Sequence, residues 1–288
     1  MRREGFLAYG ARQTIENLHG LQACMATLVA DDLQTVERTL DSAHRLQTCL
    51  TLFTKGYPTP RVAFWKRRLR RIVRALNALR DCLRLHQWVA AQQPPPAFKA
   101  GVQRALLRLR QRAQRCHETL LLAWQRWNCA HLPNEIEGLS RRWIRSFGGE
   151  PVDIEHALMQ WQSLQREHWA ALRSPALSLA IRCGRLRALQ EAHDLLTPLK
   201  LPLEYSDNLQ THLEILDAQR FHAAALCLLR EMLAEERAQT LQYAGSLRGF
   251  RRIESGWEWL IEQLVAFLHP SDEPSLPAGS THTQTKKR

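Results

Sequence analysis

The sequence predicts an all-α fold, and two observations carry that prediction. Apolar residues recur at helical spacing in nearly every segment of the 288-residue chain, which is the pattern of amphipathic helices. The alternation rich in Val, Ile and Thr that is typical of strands does not occur in the sequence. With 45% hydrophobic and 24% charged residues, the chain is typical of a globular protein that has one large domain or two smaller ones.

Turn-forming residues divide the chain into ten predicted helices, at 13–29, 32–54, 60–92, 97–130, 134–146, 153–171, 174–196, 205–220, 221–243 and 248–268. Asp31 and Asp32 are predicted to cap the second helix rather than to bind a metal. Breaks rich in Gly and Pro follow at 55–58, at 94–96 and at 148–151. Thr197 and Pro198 end a later helix. The polar residues 270–288 are predicted to form a disordered tail.

Positive charge is concentrated in one part of the chain. The formal net charge is +12, but residues 61–115 contain fifteen Lys and Arg residues against one acid, Asp81, and so carry +14. The remainder of the chain is therefore close to −2. A regional excess of this kind indicates a local anionic partner. Arginine predominates there, and its guanidinium group matches phosphate oxygens with two parallel hydrogen bonds.

The segment 64–85 places much of this charge on one predicted helix. Its apolar residues, such as Leu69, Ile72 and Leu76, recur at helical spacing, while eight cations occupy most of the remaining circumference. We interpret this helix as a polyanion-binding surface, and the alternative is a solvated face. For a second stripe of cations the sequence favours a solvated face, and its residues are Arg104, Arg108, Arg112 and Arg115.

The two parts of the chain on either side of Gly148-Gly149 share a faint pattern, as a tandem duplication would produce. Residues 44–47 (His-Arg-Leu-Gln) have a counterpart at 185–187 (Arg-Leu-Arg), and Leu79-Arg80-Asp81 has one at Leu216-Asp217-Ala218. These motifs, above all Arg80-Asp81 at the end of the basic run 69–81, resemble those of the CHAD family, the conserved histidine α-helical domain. The resemblance covers roughly residues 13–268.

The resemblance implies two pseudo-symmetric four-helix bundles in tandem, at 1–147 and 148–269, with a basic cleft between them. It also implies non-enzymatic binding of inorganic polyphosphate or a similar polyanion, without a cofactor or a metal, and an association with polyphosphate granules. Asp81 is expected to orient Arg80 through a salt bridge. The predicted polyphosphate-binding residues are Arg45, Lys66, Arg67, Arg70, Arg71, Arg74, Arg80, Arg182, Arg185 and Arg187.

Several positions depart from the family pattern. The histidine that gives the family its name aligns with Glu37 in the first part and with Leu177 in the second. The arginine three residues later is replaced by Leu40 and by Ala180. His44 stands where the family has an arginine, and it would bind phosphate better when protonated. Two alternatives therefore stay open: a protein-interaction scaffold that does not bind polyphosphate, and a nucleic-acid binder.

Other classes of function receive little support from the sequence. His193-Asp194 alone resembles a motif of metal-dependent phosphohydrolases, and no zinc-type spacing of His and Cys occurs. The seven scattered cysteines are typical of a reducing compartment. Without a long apolar run or an apolar leader, the predicted location is the cytoplasm, with no membrane insertion. The sequence predicts core packing for Trp124, Trp127, Trp143, Trp161 and Trp169, and leaves the oligomeric state open.

Overall fold

The structure, a computed structural model, describes residues 4–53, 57–172, 177–201 and 209–268. These ranges form nine α-helices and contain no strand, so the all-α prediction is confirmed. A single 3₁₀ turn, Thr197–Leu199, follows the seventh helix. The helices are α1 (Glu4–Ala26), α2 (Leu33–Leu52), α3 (Thr59–Ala90), α4 (Lys99–Cys129), α5 (Leu132–Phe147), α6 (Ile154–Leu172), α7 (Leu179–Leu196), α8 (Leu209–Ala244) and α9 (Arg251–Leu268).

Two predicted boundaries are wrong, and both have a physical reason. Helix α8 runs without interruption where two helices were predicted, because no Gly or Pro interrupts 209–244. Helix α1 begins nine residues earlier than predicted, since Phe6 is buried against Phe53 with their ring centroids 5.2 Å apart. That long-range contact leaves no local signal in the sequence. The predicted tail at 270–288 lies outside the described residues.

The start of α2 shows how a local signal is realised. The side chain of Asp32 accepts a hydrogen bond from the backbone N–H of Gln34 at 3.0 Å, and Asp32 is the N-cap residue. This bond satisfies one of the backbone donors that a helix leaves unpaired at its first turn. The capping role predicted for this position is confirmed.

The helices pack around three clusters of buried side chains. Helices α1 to α5 share the first cluster, in which Trp65 and Trp127 are fully buried. A second cluster joins Phe53 at the end of α2 to Trp161 of α6 and to residues of α7. The third joins α3 and α4 to α8 and α9, where Trp257 is buried. The last two clusters therefore contain residues from both sides of the break at 148–149.

The predicted core role of the tryptophans is confirmed in large part. Trp127 and Trp161 are buried, and Trp124 and Trp143 pack against the first cluster. Trp169 differs, because 38% of its surface is exposed. None of the described helices combines the length and the apolarity that crossing a bilayer requires.

Candidate functional site

A cavity of about 570 Å³ lies among α2, α3, α6 and α7, and we call it the α3/α7 cavity. Four of the arginines predicted from the sequence line it: Arg70 and Arg74 from α3, and Arg185 and Arg187 from α7. No Asp or Glu belongs to its described lining, and polar side chains complete it, among them those of His44, Gln47, Thr48, Thr51 and Asn77. Cations from two helices far apart in sequence therefore meet at one concave surface.

Helical periodicity places the arginines of α3 in this cavity. Arg70, Arg74 and Asn77 are spaced by four and three residues, so they share one side of the helix. Leu69 and Ile72 point away from it into the core and are fully buried. Arg70 and Arg74 are exposed, and neither forms an ion pair with a described residue. Their positive charge is therefore available to a ligand.

The arginines of α7 are held by acids of neighbouring helices. Arg187 donates a hydrogen bond to Oδ1 of Asp41 on α2 at 3.3 Å. Arg185 lies 3.7 Å from a carboxylate oxygen of Glu167 on α6. Burial raises the pKa of Asp41, and Arg187 acts in the opposite direction. These contacts orient two guanidinium groups at the cavity while leaving other N–H donors on each of them.

His44 lines the cavity as a neutral side chain. Burial lowers its pKa to about 3, and the positive charges of Arg187 and Arg80 add to this effect. The imidazole is therefore neutral throughout the physiological pH range and can donate a single N–H bond. The sequence-based expectation that protonation of His44 strengthens phosphate binding does not apply in that range.

Arg80 lies beneath the cavity rather than at its surface. The residue is only 2% exposed, and its Nη2 donates a hydrogen bond to Oδ1 of Asn77 at 3.0 Å. The same nitrogen lies 3.5 Å from Asp81 and 3.6 Å from Asp217. Burial lowers the pKa of Arg80 to about 10, with Asp217 opposing, so the side chain stays charged at neutral pH. Arg80 thus reaches the cavity through Asn77, which lines it.

A reciprocal pair of salt bridges joins α3 to α8, and one of its two acids, Asp217, has a lowered pKa. Arg84 of α3 contacts Asp217 of α8 at 2.7 Å, while Arg220 of α8 donates to both carboxylate oxygens of Asp81 at 2.8 and 2.9 Å. In each helix the acid precedes its arginine by three residues. Burial raises the pKa of Asp217, but Arg80, Arg84 and Arg220 outweigh it and lower the pKa to about 2. We call these four residues the Asp-x-x-Arg exchange.

The Asp-x-x-Arg exchange also explains the unexpected acid at position 37. Glu37 of α2 accepts hydrogen bonds from Nε and Nη2 of Arg84 at 2.9 and 2.6 Å. With Glu37 and Arg80 included, the cluster holds three acids and three arginines, so its formal charge is zero. The negative charge of Glu37 is therefore compensated beside the cavity. Asp81 contacts Arg80, as expected, but its closer partner is Arg220.

The remaining predicted residues lie around the cavity. Arg45 donates to Glu191 at 3.1 Å, and Arg67 stacks on Phe64 with its guanidinium carbon 5.4 Å from the ring centroid. Burial, together with Arg70, lowers the pKa of Lys66. Arg71 lines a second groove, between α3 and α4, and Arg182 is half-buried on α7. None of Arg45, Lys66, Arg67, Arg71 and Arg182 belongs to the described lining of the α3/α7 cavity.

Three of the four arginines in the second cationic stripe are paired with acids, which corrects the interpretation of these residues as a solvated face, while Arg115 is exposed. Arg104 and Arg108 of α4 both contact Glu236 of α8 at 2.7 Å. Arg112 lies 3.4 Å from oxygens of Glu231 and Glu235. Much of the positive charge of α4 is therefore paired with acids that lie more than a hundred residues later in the chain.

Arg84 and Arg220 were not among the residues predicted for the site, although the sequence carries a signal for them. The spacing Asp-x-x-Arg occurs in each of the two predicted matching motifs, as Asp81 with Arg84 and as Asp217 with Arg220. Elsewhere, His193 and Asp194 contact each other at 3.6 Å. Across the part of the chain that the structure describes, no three metal-ligating side chains gather at one point.

Comparison with known proteins supports the resemblance seen in the sequence. The model of the CHAD domain matches residues 12–152, which include most of α1, all of α2 to α5, and the arginines that α3 contributes to the cavity. No curated protein and no solved structure matches the chain. The match to residues 12–152, just under half of the chain, supports a CHAD family protein.

Proposed function

We propose that the protein binds inorganic polyphosphate, or a similar polyanion, in the α3/α7 cavity and that it is not an enzyme. The observation that carries the proposal is the meeting of Arg70 and Arg74 with Arg185 and Arg187 around one cavity that no described acid lines. The CHAD domain is associated with polyphosphate binding in general. The family is also generally non-catalytic.

The chemistry of the cavity suits a chain of phosphates. Each guanidinium presents several N–H donors in a fixed plane, which complements the oxygens of a phosphate group. The hydroxyl of Thr48 and the second N–H of the Asn77 amide add uncharged polar groups between the cations. We assign Arg80 the role of positioning Asn77, since its own guanidinium is buried. Lys66, Arg67 and Arg45 flank the proposed path as outer contacts.

The proposal places the α3/α7 cavity in a basic cleft between two pseudo-symmetric halves, residues 1–147 and 148–269. The Asp-x-x-Arg exchange supports this arrangement. In it α3 and α8 each contribute one Asp and one Arg at the same spacing, and equivalent helices related by a two-fold axis form such reciprocal contacts. Polyphosphate binding would also bring the protein to polyphosphate granules in the cytoplasm.

The direct test is to remove two arginines of α3 and measure polyphosphate affinity. We expect Arg70→Ala/Arg74→Ala to weaken binding by about a hundredfold, since each lost charge-assisted contact contributes about 1.5 kcal/mol. Affinity of the wild-type protein should also fall steeply as salt rises, because binding displaces counterions from the polyanion. Titration calorimetry or fluorescence anisotropy at several salt concentrations would measure both effects.

A matched control is available on α5. Arg142→Ala/Arg145→Ala removes the same charge from another exposed helical surface, and Arg145 bonds to the backbone four residues earlier as Arg70 does. The control should retain polyphosphate affinity to within about twofold. Equal losses in both double variants would indicate non-specific attraction, and no binding by the wild type would refute the proposal in favour of an interaction scaffold.

A further inference from the structure

A second basic surface lies on the side of α3 that faces α4. This α3/α4 groove has a volume of about 560 Å³. Arg68, Arg71 and Arg74 of α3 line one side, and Arg126 with Thr119 of α4 line the other. No Asp or Glu is part of its described lining. The groove therefore gathers four cations, and three of them, Arg68, Arg71 and Arg126, do not line the α3/α7 cavity.

The positive charges of three arginines at this groove are not paired with described acids of the protein. Arg71, Arg74 and Arg126 are exposed, and none of them forms an ion pair with a described residue. On the same helix α4, by contrast, Arg104 is neutralised by Glu236. Arg71, Arg74 and Arg126 thus differ from Arg104, because their charges are not neutralised by a described acid.

Arg68 adds a partly pre-organised donor. Its guanidinium carbon lies 5.1 Å from the centroid of the Phe64 ring, which holds the side chain by a cation–π contact. Its Nε is buried and donates to no described acceptor. A buried donor without a partner costs free energy.

Arg74 connects the two surfaces, since it lines both the α3/α7 cavity and the α3/α4 groove. Successive residues are about 100° apart around a helix, so Arg70 and Arg71 point to different sides of α3. Arg74 lies between these two directions. A flexible anionic chain that leaves the cavity can therefore cross α3 at Arg74 and meet Arg71 and Arg126 without passing an acid.

We propose that the α3/α4 groove is a second binding segment, which holds the continuation of a polyphosphate chain whose first part occupies the α3/α7 cavity. This inference rests on the proposed function and adds a preference for long chains. Contacts in the groove then become intramolecular once the cavity is filled, and such linkage raises affinity. The described lining of the groove has no aromatic residue on which a nucleobase would stack, which favours polyphosphate over single-stranded nucleic acid.

The test compares tripolyphosphate with long-chain polyphosphate on the variant Arg71→Ala/Arg126→Ala. We expect the variant to bind tripolyphosphate as the wild type does, to within about twofold, because a short chain is held by the cavity alone. Its affinity for the long chain should fall about tenfold, and the slope of log affinity against log salt should decrease by about two for the two lost contacts. Arg142→Ala/Arg145→Ala is the charge-matched control, and thermal melting checks that every variant is folded.

The possible outcomes test the second binding segment separately from the proposed polyphosphate binding in the cavity. An unchanged long-chain affinity in Arg71→Ala/Arg126→Ala would overturn the second segment while the cavity stands. Equal losses of affinity for short and long chains would overturn it too, since the groove would then act only through the overall electrostatic field of the protein. If the variant lost single-stranded RNA binding but kept both polyphosphates, the groove would be a nucleic-acid site. Failure of the wild type to bind either polyphosphate would refute both proposals.

Discussion

At the scale of single residues, Glu37, which the sequence predicted to stand at the position of the family histidine, forms a salt bridge with Arg84. Arg84 contacts Glu37 and Asp217 at once, and these two acids satisfy its guanidinium from two sides. The acid is therefore not a repulsive group within the binding surface. The sequence motif shows only the change of charge, whereas the compensating cation, Arg84, comes from another helix and lies 47 residues later.

Glu191 offers a prediction at this scale. Burial raises its pKa to about 7, with Asp41 and Asp194 adding to the rise and Arg45 opposing it. The folded protein therefore binds a proton that the unfolded chain has released above its ordinary pKa of 4.5. Because the folded state binds more protons, this group makes the free energy of unfolding fall as pH rises from about 4.5 to about 7.

Glu191→Gln should remove that dependence, since the amide does not titrate. Denaturant unfolding at pH 5, 6 and 7 measures how the free energy of unfolding depends on pH. Over the whole interval from pH 4.5 to 7, we expect the decrease in this free energy to be smaller in the variant by up to about 3 kcal/mol. Glu118→Gln on α4 changes an exposed carboxylate and should keep the wild-type slope. Parallel curves for the wild type and Glu191→Gln would contradict the prediction.

Prediction of single residues from the sequence succeeded where helical spacing alone determines the direction in which a side chain points. Arg70 and Arg74 are one helical turn apart on the side away from Leu69 and Ile72, and they line the cavity. Arg80 follows Ile72 and Leu76 at four-residue steps, so periodicity places it on the apolar side of α3, and it is buried. Its partner Asp217 on α8 is a long-range contact that periodicity in α3 does not reveal.

At the scale of secondary-structure elements, α3 is a helix with three distinct sides. One side packs into the core, a second lines the α3/α7 cavity and the third borders the α3/α4 groove. The sequence predicted the division between apolar and basic sides, because it follows from helical periodicity. The division of the basic side into two required the positions of α4 and α7, and for that reason the sequence did not reveal it.

The contact between α3 and α8 gives a second prediction. Arg220→Ala removes the closer partner of Asp81, whose side chain is 18% exposed in the folded protein, and leaves this carboxylate poorly compensated. We expect the free energy of unfolding to fall by about 2–4 kcal/mol, as for a largely buried pair that loses one member. Chemical denaturation monitored by circular dichroism would measure the change.

The same helix supplies the control for this substitution. Arg237 pairs with Glu254 and Glu258 at the surface, with 42% of its side chain exposed. Arg237→Ala should cost no more than about 1 kcal/mol. If both substitutions had the same small effect, the Asp-x-x-Arg exchange would not contribute to the stability of the α3–α8 contact.

At the scale of the whole molecule, the buried clusters cross the Gly148-Gly149 break that divides the sequence. The second cluster joins Phe53 to Trp161, and the third joins Leu85 and Leu109 to Trp257. Glycines make the contact of α4 with α9 close, because a Cβ on Gly101 would lie 2.6 Å from the Cα of Gly256. The sequence indicated the break but not these contacts, since no local pattern specifies which helices meet across it.

We therefore expect the chain to unfold in one cooperative thermal transition. Neither part can keep its core when the other melts, because Phe53 and Leu85 would lose their neighbours. Scanning calorimetry should give equal calorimetric and van't Hoff enthalpies. Phe53→Ala should cost about 3–5 kcal/mol and shift the single transition without splitting it. Two separated transitions in the wild type would contradict this expectation.

The Asp-x-x-Arg exchange has a consequence for how such a molecule can be assembled. Each helix offers an acid and a base in the same order and at the same spacing, so the contact is self-complementary: one segment could meet a copy of itself in the way α3 meets α8. In a symmetric dimer, one pair of residues forms the same salt bridge twice, and the two salt bridges Asp81–Arg220 and Asp217–Arg84 would correspond to these two copies. Such a contact within one polypeptide has the pairing that a symmetric homodimer would use, and the two segments that form it can diverge independently.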